Sequence, residues 1–232
     1  MIRSVTKGAI AALAMLAASE SGAQDMRLSR QLDPATAARV TSIVDHARAT
    51  SLPTEPLIDK ALEGARKGAA PGRIVDAVTA LAARLDSTRN ALGPASSESE
   101  LVAGASVMQA GITPRVLREL RAARAGKSLA VPLVVLGDLV TRGVPGDTAS
   151  ALVLLVAREG LGDETLLAIQ RDVQRDVSKG AHPAAAAAIR ARGAVNGGGT
   201  RLRPVRGPVT AGAASLAPGS RPASAKPLIS GY

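Results

Sequence analysis

Residues 126–160 read G-KSLAVPLVVLGDLVTR-G-VPGDTASALVLLVARE-G, with glycines at 126, 143 and 160. The two segments between them read as short helices, each closed by a glycine and apolar nearly all the way round. A helix with no polar face belongs in the middle of a domain, so this pair is expected at the centre, covered by the amphipathic helices on either side.

The phrase that closes these helices recurs. RKGAAPGRIVDAV, QAGITPRVLREL, TRGVPGDTASAL, REGLGDETLLAI and SKGAHPAAAAAI each place a polar residue, a glycine, a small or apolar residue, a helix starter and then a helix. Glycine takes up the left-handed turn, the next residue plugs the core, and Pro or a polar residue launches the next helix. Gly68, Gly111, Gly126, Gly143, Gly160 and Gly180 are therefore the expected helix-ending glycines. Short turns make consecutive helices antiparallel neighbours. The expected fold is all-α, a compact array of short antiparallel helical hairpins. The repeat is irregular, because the glycine spacing drifts from 15 to 20 residues.

Working outward toward the N-terminus, Thr113-Pro114 starts a helix expected to run to Gly126, and Ser97 caps one carrying Leu101, Ala105 and Met108 to Gly111. Residues 93–97 are a polar connector and the one candidate internal boundary. Pro71 opens the longest helix, with Ile74, Val78, Leu81, Leu85 and Leu92 at helical spacing. Thr54 opens another, closed at Gly68. Asp33-Pro34 supplies an N-cap and a first-turn proline for a helix that Ser51-Leu52-Pro53 ends. Residues 25–32 read as a polar lead-in. Toward the C-terminus, residues 161–179 and 183–192 complete the array, the last helix ending at Gly193.

Both ends of the chain differ from this body. Residues 1–7 are basic, 8–18 are apolar, and Ser21-Gly22-Ala23 offers small residues for a signal peptidase, the three parts of a secretory signal. The apolar run is too short to span a bilayer. The expectation is export to the periplasm or beyond, with cleavage after Ala23 and no transmembrane segment in the mature chain. Residues 194–232 are rich in Gly, Pro, Ala, Ser and Arg and hold no acid, a composition that does not offset ordering entropy. They read as a disordered tail, leaving 24–193 as the helical domain. The net charge is +10, of which residues 1–23 hold +1 and 194–232 hold +5 (Arg201, Arg203, Arg206, Arg221, Lys226), leaving +4 for the domain.

Composition narrows function. There is no cysteine, Phe or Trp, and the one Tyr is Tyr232. Thiolate zinc sites and disulfides are excluded, and aromatic stacking on bases or sugars is unavailable. No cofactor motif occurs: G-x-S-x-G, H-E-x-x-H, Walker and dinucleotide patterns are missing. His46 and His182 lie on different helices without ligand spacing and read as surface residues. Glu98/Glu100 and Asp163/Glu164 fall in first turns, where carboxylates complement the helix dipole. Asp138 stands inside an apolar run, with Arg142 four residues on as its natural partner. Arg115, Arg118, Arg121, Arg124 and Lys127 recur every three residues and could form an anion-binding stripe.

Three readings follow. The first is a non-enzymatic interaction or scaffold module of a bacterial envelope, with a protein partner and weak, non-specific contacts of its tail with anionic surfaces. The second is an anion-binding protein using residues 115–127 and the tail. The third is an enzyme with a site near Asp138.

Overall fold

A computed structural model describes residues 26–196, and within them the chain is all-helical. The signal, its cleavage point and residues 197–232 lie outside the described residues. The helices are α1 Pro34–Ala49, α2 Glu55–Arg66, α3 Pro71–Leu92, α4 Glu98–Gln109, α5 Pro114–Ala123, α6 Ala130–Thr141, α7 Gly146–Arg158, α8 Asp163–Ser178 and α9 Pro183–Asn196.

Their starts follow local chemistry. Asp33 accepts the Thr36 N–H with Pro34 in the first turn. Ser97 and Glu100 form a reciprocal capping box, so two orphan amides are satisfied at once.

Their ends share one device. At Gly68, Gly111, Gly143, Gly160 and Gly180 the φ angle lies between 65° and 93°. Each glycine N–H donates three residues back, and the following N–H five back, as in Gly143 to Val140 and Val144 to Leu139. This is the Schellman arrangement. A sixth copy carries no glycine: Ser51 has φ 57°, its N–H donates to Arg48 and that of Leu52 to Ala47. The residue after the turn enters a core at Leu52, Ile112 and Val144. Ala181 stays exposed, so the plug is missing from the last turn.

Gly126 differs. Its φ is 72°, but α5 has already ended at Ala123, with Arg124 in an irregular conformation and the Lys127 N–H on its carbonyl. The equal spacing of glycines 126, 143 and 160 thus joins two different structures. At the other end α9 runs through Gly193 to Asn196, since one glycine inside a helix costs only about 1 kcal/mol; the first three residues assigned to the tail are helical. The lead-in is also more than polar. Residues 26–29 are helical, and Leu28 and Leu32 are buried in the core, Leu28 only 1% exposed.

Packing arranges the helices in two rows. α1, α3, α5, α7 and α9 pack successively on one another, as do α4, α6 and α8, while chain neighbours such as α2 and α3, α3 and α4, and α8 and α9 close the rows together. Helices within a row therefore lie next but one in sequence. α7 is closed in by neighbours, with seven of its residues buried. α6 buries Pro132, Leu133, Val135, Leu136 and Leu139 but leaves Val134 57% exposed, so it is central yet open on one side.

Two apolar clusters fill the array. One joins α1, α2 and most of α3 to Leu101 and Ala105 of α4. The other runs from Ala91 and Leu92 of α3 through Val107 of α4 to α9. The division between them passes through α3 and α4 rather than through the connector 93–97. The crossing is tight: a Cβ on Gly104 of α4 would run into Thr88 Cγ2 of α3, and Thr88 is wholly buried.

Candidate functional site

The five charges from Arg115 to Lys127 do not form one face. Arg115 is exposed and pairs with Glu119 at 2.8 Å, which also receives Arg158 from α7 at 3.0 Å. Arg118 and Lys127 are exposed. Arg121 and Arg124 turn inward. A step of three residues advances 300° around a helix, so the stripe drifts by about 60° per position and carries Arg121 toward the packed side, while Arg124 and Lys127 lie beyond the end of α5.

Arg121 holds a turn together. Its Nε donates to the Leu92 carbonyl at 3.1 Å, Nη1 to the Lys127 carbonyl at 3.0 Å, and Nη2 to Glu100 Oε1 at 3.0 Å. Glu100 is 4% exposed. It also accepts the Leu129 N–H at 2.6 Å on Oε1 and the Ser97 N–H at 2.9 Å on Oε2. Burial pushes its carboxyl up, but the bonds from Leu129, Ser97 and Arg121 outweigh that, and its pKa lies below the usual carboxylate range. Arg124, 9% exposed, reaches Asp163 at the start of α8 at 2.5 Å. Of the first-turn carboxylates, Glu100 and Asp163 thus stitch helices together, which their capping position did not announce. A groove of about 470 Å³ opens over this seam, lined by residues 92–95, Ser97 and residues 126–128 with Glu100 and Arg121.

Asp138 pairs with Arg142 at 2.7 Å across one turn of α6. Burial pushes its carboxyl up, but the bonds from Arg142 and from Gln170 of α8, with the Arg142 charge, outweigh that and leave it below the usual range. A carboxylate held charged between two donors braces α6 against α8; general acid chemistry would need it raised.

His46 lies on α1, on a shallow groove of about 500 Å³ with Ser42, Thr50, Thr79 and Asp86. His182 precedes α9 and is exposed. The structure does not bring the two together, and among the described residues no group of three or more His, Asp or Glu could hold a metal ion. No helix of the described residues is long and apolar enough to cross a membrane.

One surface feature went unremarked in the sequence. Val134 on α6 and Leu167 on α8 are exposed, at 57% and 40%. Arg124, at the end of α5, pairs with Asp163 at the start of α8, and Gln170 of α8 bonds Asp138 of α6. α6 and α8 pack directly on one another. Val134 lies one turn before Asp138, and Leu167 one turn before Gln170. The two apolar side chains are thus exposed on two helices that pack on each other. Hydropathy alone hid them, because Val134 belongs to a run that is otherwise buried.

Compared with known proteins, the chain matches no family model, no curated protein and no solved structure.

Proposed function

We propose that this chain is a non-enzymatic interaction or scaffold module of the bacterial envelope, exported through residues 1–23 and using the outer side of α6 and α8 as its contact face. The observation that supports this is the exposure of Val134 and Leu167 on two helices that pack on each other and are otherwise braced by ion pairs. Exposed large apolar side chains grouped on a rigid surface mark contact sites, whereas the charged groups that could do chemistry are tied into the fold. The reading also favours apolar contact over the arginine stripe, since Arg121 and Arg124 are spent on the α5–α6 turn.

The test compares wild-type chain with Val134→Lys and Leu167→Asp as baits against a native envelope fraction. Both positions are exposed, so each change should move stability by about 0.5 kcal/mol or less. Proteins retained by the wild type should be lost from both variants. Identical capture by all three baits would remove this face as the contact surface.

A further inference from the structure

Resting on the interaction-module reading, we propose that the partner of the α8 face is a second copy of this chain, docked antiparallel across a two-fold axis beside Leu167. α8 buries Leu166, Ile169 and Val173. Its other sides are accounted for by the Asp138–Gln170 bridge toward α6 and by Arg190 of α9, which pairs with Asp172 and Asp176. What remains exposed is a stripe that begins with Glu164, Leu167 and Arg171 and continues through Gln174 and Ser178, beside Arg175, which pairs with Asp172.

Neither charge of that stripe forms an ion pair among the described residues, and neither can find one along its own helix. The positions three and four residues after Glu164 are Leu167 and Ala168. Those three and four residues from Arg171 are Leu167, Ala168, Gln174 and Arg175. Opposite charges pair at those spacings. Seven residues of helix separate Glu164 from Arg171 by about 10 Å, beyond direct pairing.

The arrangement is self-complementary. Glu164 and Arg171 lie symmetrically about the midpoint between Leu167 and Ala168. Laying a second α8 antiparallel at that midpoint sets Glu164 of each copy against Arg171 of the other and Leu167 against its own counterpart. An isologous interface needs this property of one patch on both subunits. Leu167 forms the apolar centre, and the two charge pairs form the rim. Oppositely charged rims of this kind set orientation and register more than they add affinity.

Sedimentation velocity of the full chain, from micromolar to near-millimolar concentration, reads the result. The wild type should dimerise, and added salt should weaken it. Glu164→Arg and Arg171→Glu should each weaken the dimer about tenfold, because each converts two attractive pairs into two repulsive ones. The double variant swaps both partners and should return to within about threefold of wild type. Leu167→Asp should leave a monomer, with helical circular dichroism unchanged in every variant.

A wild type that is monomeric throughout overturns the proposal, and so does a double variant no tighter than the single ones. The interaction-module reading fails separately. A monomer whose Leu167→Asp variant loses capture of another envelope protein keeps that reading and replaces the second copy with a different partner.

Discussion

In the N-terminal core the ion pairs lie in water. Arg27 reaches Glu55 and Asp59, Arg48 reaches Asp45, and Glu63 is held by Lys60 and Lys67, all on outer surfaces of α1, α2 and the turn before them. The C-terminal core has such surface pairs too, Arg115 with Glu119 and Arg175 with Asp172, but it adds pairs that close seams. Glu100 with Arg121 fixes the start of α6, and Arg124 with Asp163 ties that turn to α8. Such positions differ sharply in energy. Exposed pairs contribute about 0–1 kcal/mol, while removing one member of a buried pair costs about 3–5 kcal/mol because its partner is left uncompensated. Arginine content, similar in appearance along the sequence, thus has two roles, of which the seam-closing one belongs to the C-terminal core.

The largest effect expected from this contrast is at Glu100. Glu100→Ala leaves the Leu129 N–H without its acceptor and the Arg121 guanidinium without its carboxylate and should lower unfolding free energy by about 3 kcal/mol. Glu55→Ala in the other core should change it by less than about 1 kcal/mol. Equal losses in urea unfolding would erase the distinction. The pH profile sharpens it. Glu100 and Asp138 have folded-state pKa values below their unfolded ones, so their stabilisation is complete above the unfolded carboxyl range and is lost as pH falls through the folded values. Wild-type stability should be level above about pH 5 and fall below about pH 4. Glu63, held near 2 by its bonds from Lys60 and Lys67, shares the direction. Its exposure makes its share small, so Glu100→Ala should flatten the acid limb far more than Glu63→Ala.

The next effect compares two versions of one turn. Ser51 adopts at φ 57° what glycine adopts at Gly160 with φ 68°. A side chain in the left-handed region costs about 1–2 kcal/mol, and a Cβ on Gly160 would meet nothing within 4 Å. Gly160→Ser should therefore destabilise by about 1 kcal/mol through conformation alone. Ser51→Gly should stabilise by somewhat less, because glycine also loses more freedom on folding. The same sign for both exchanges, measured by thermal unfolding, would show that the two turns are not equivalent.

That pair also shows what the sequence made legible. The repeated phrase locates five of the six Schellman turns, because glycine is the residue that the left-handed conformation selects, and the turns in order define an all-helical array. The sixth was invisible, since Ser51 carries no such mark and its geometry is imposed by Leu52 entering the core. Gly126 misled in the opposite direction: its conformation is left-handed, but the helix before it had already ended. The two-row packing was not legible either. Short turns suggest neighbours in sequence, whereas α1 on α3, α5 on α7 and α6 on α8 depend on side chains meeting across a gap of a whole helix. At the surface, spacing brought out Arg115 to Lys127 as a group. It could not tell which members face inward, because that depends on where Leu92, Glu100 and Asp163 sit in space.

The smallest effect concerns those same charges. Each cation that neutralises a charge on an anionic polymer contributes about one unit to the slope of log affinity against log salt. Five free charges would make that slope steep, but Arg121 and Arg124 are engaged, and Arg115 is shared with Glu119. Arg118→Gln with Lys127→Gln should therefore flatten the slope for a polyanion by about two units at most and leave stability nearly unchanged. Arg121→Gln with Arg124→Gln should do the reverse. The slope should change little, while the fold loses stability as Glu100 and Asp163 are stranded. Measuring slope and unfolding free energy on both double variants separates a binding charge from a structural one. If Arg121→Gln with Arg124→Gln flattens the slope while the fold keeps its stability, those two arginines serve a ligand, and the regional division of arginine roles fails where it was drawn most sharply.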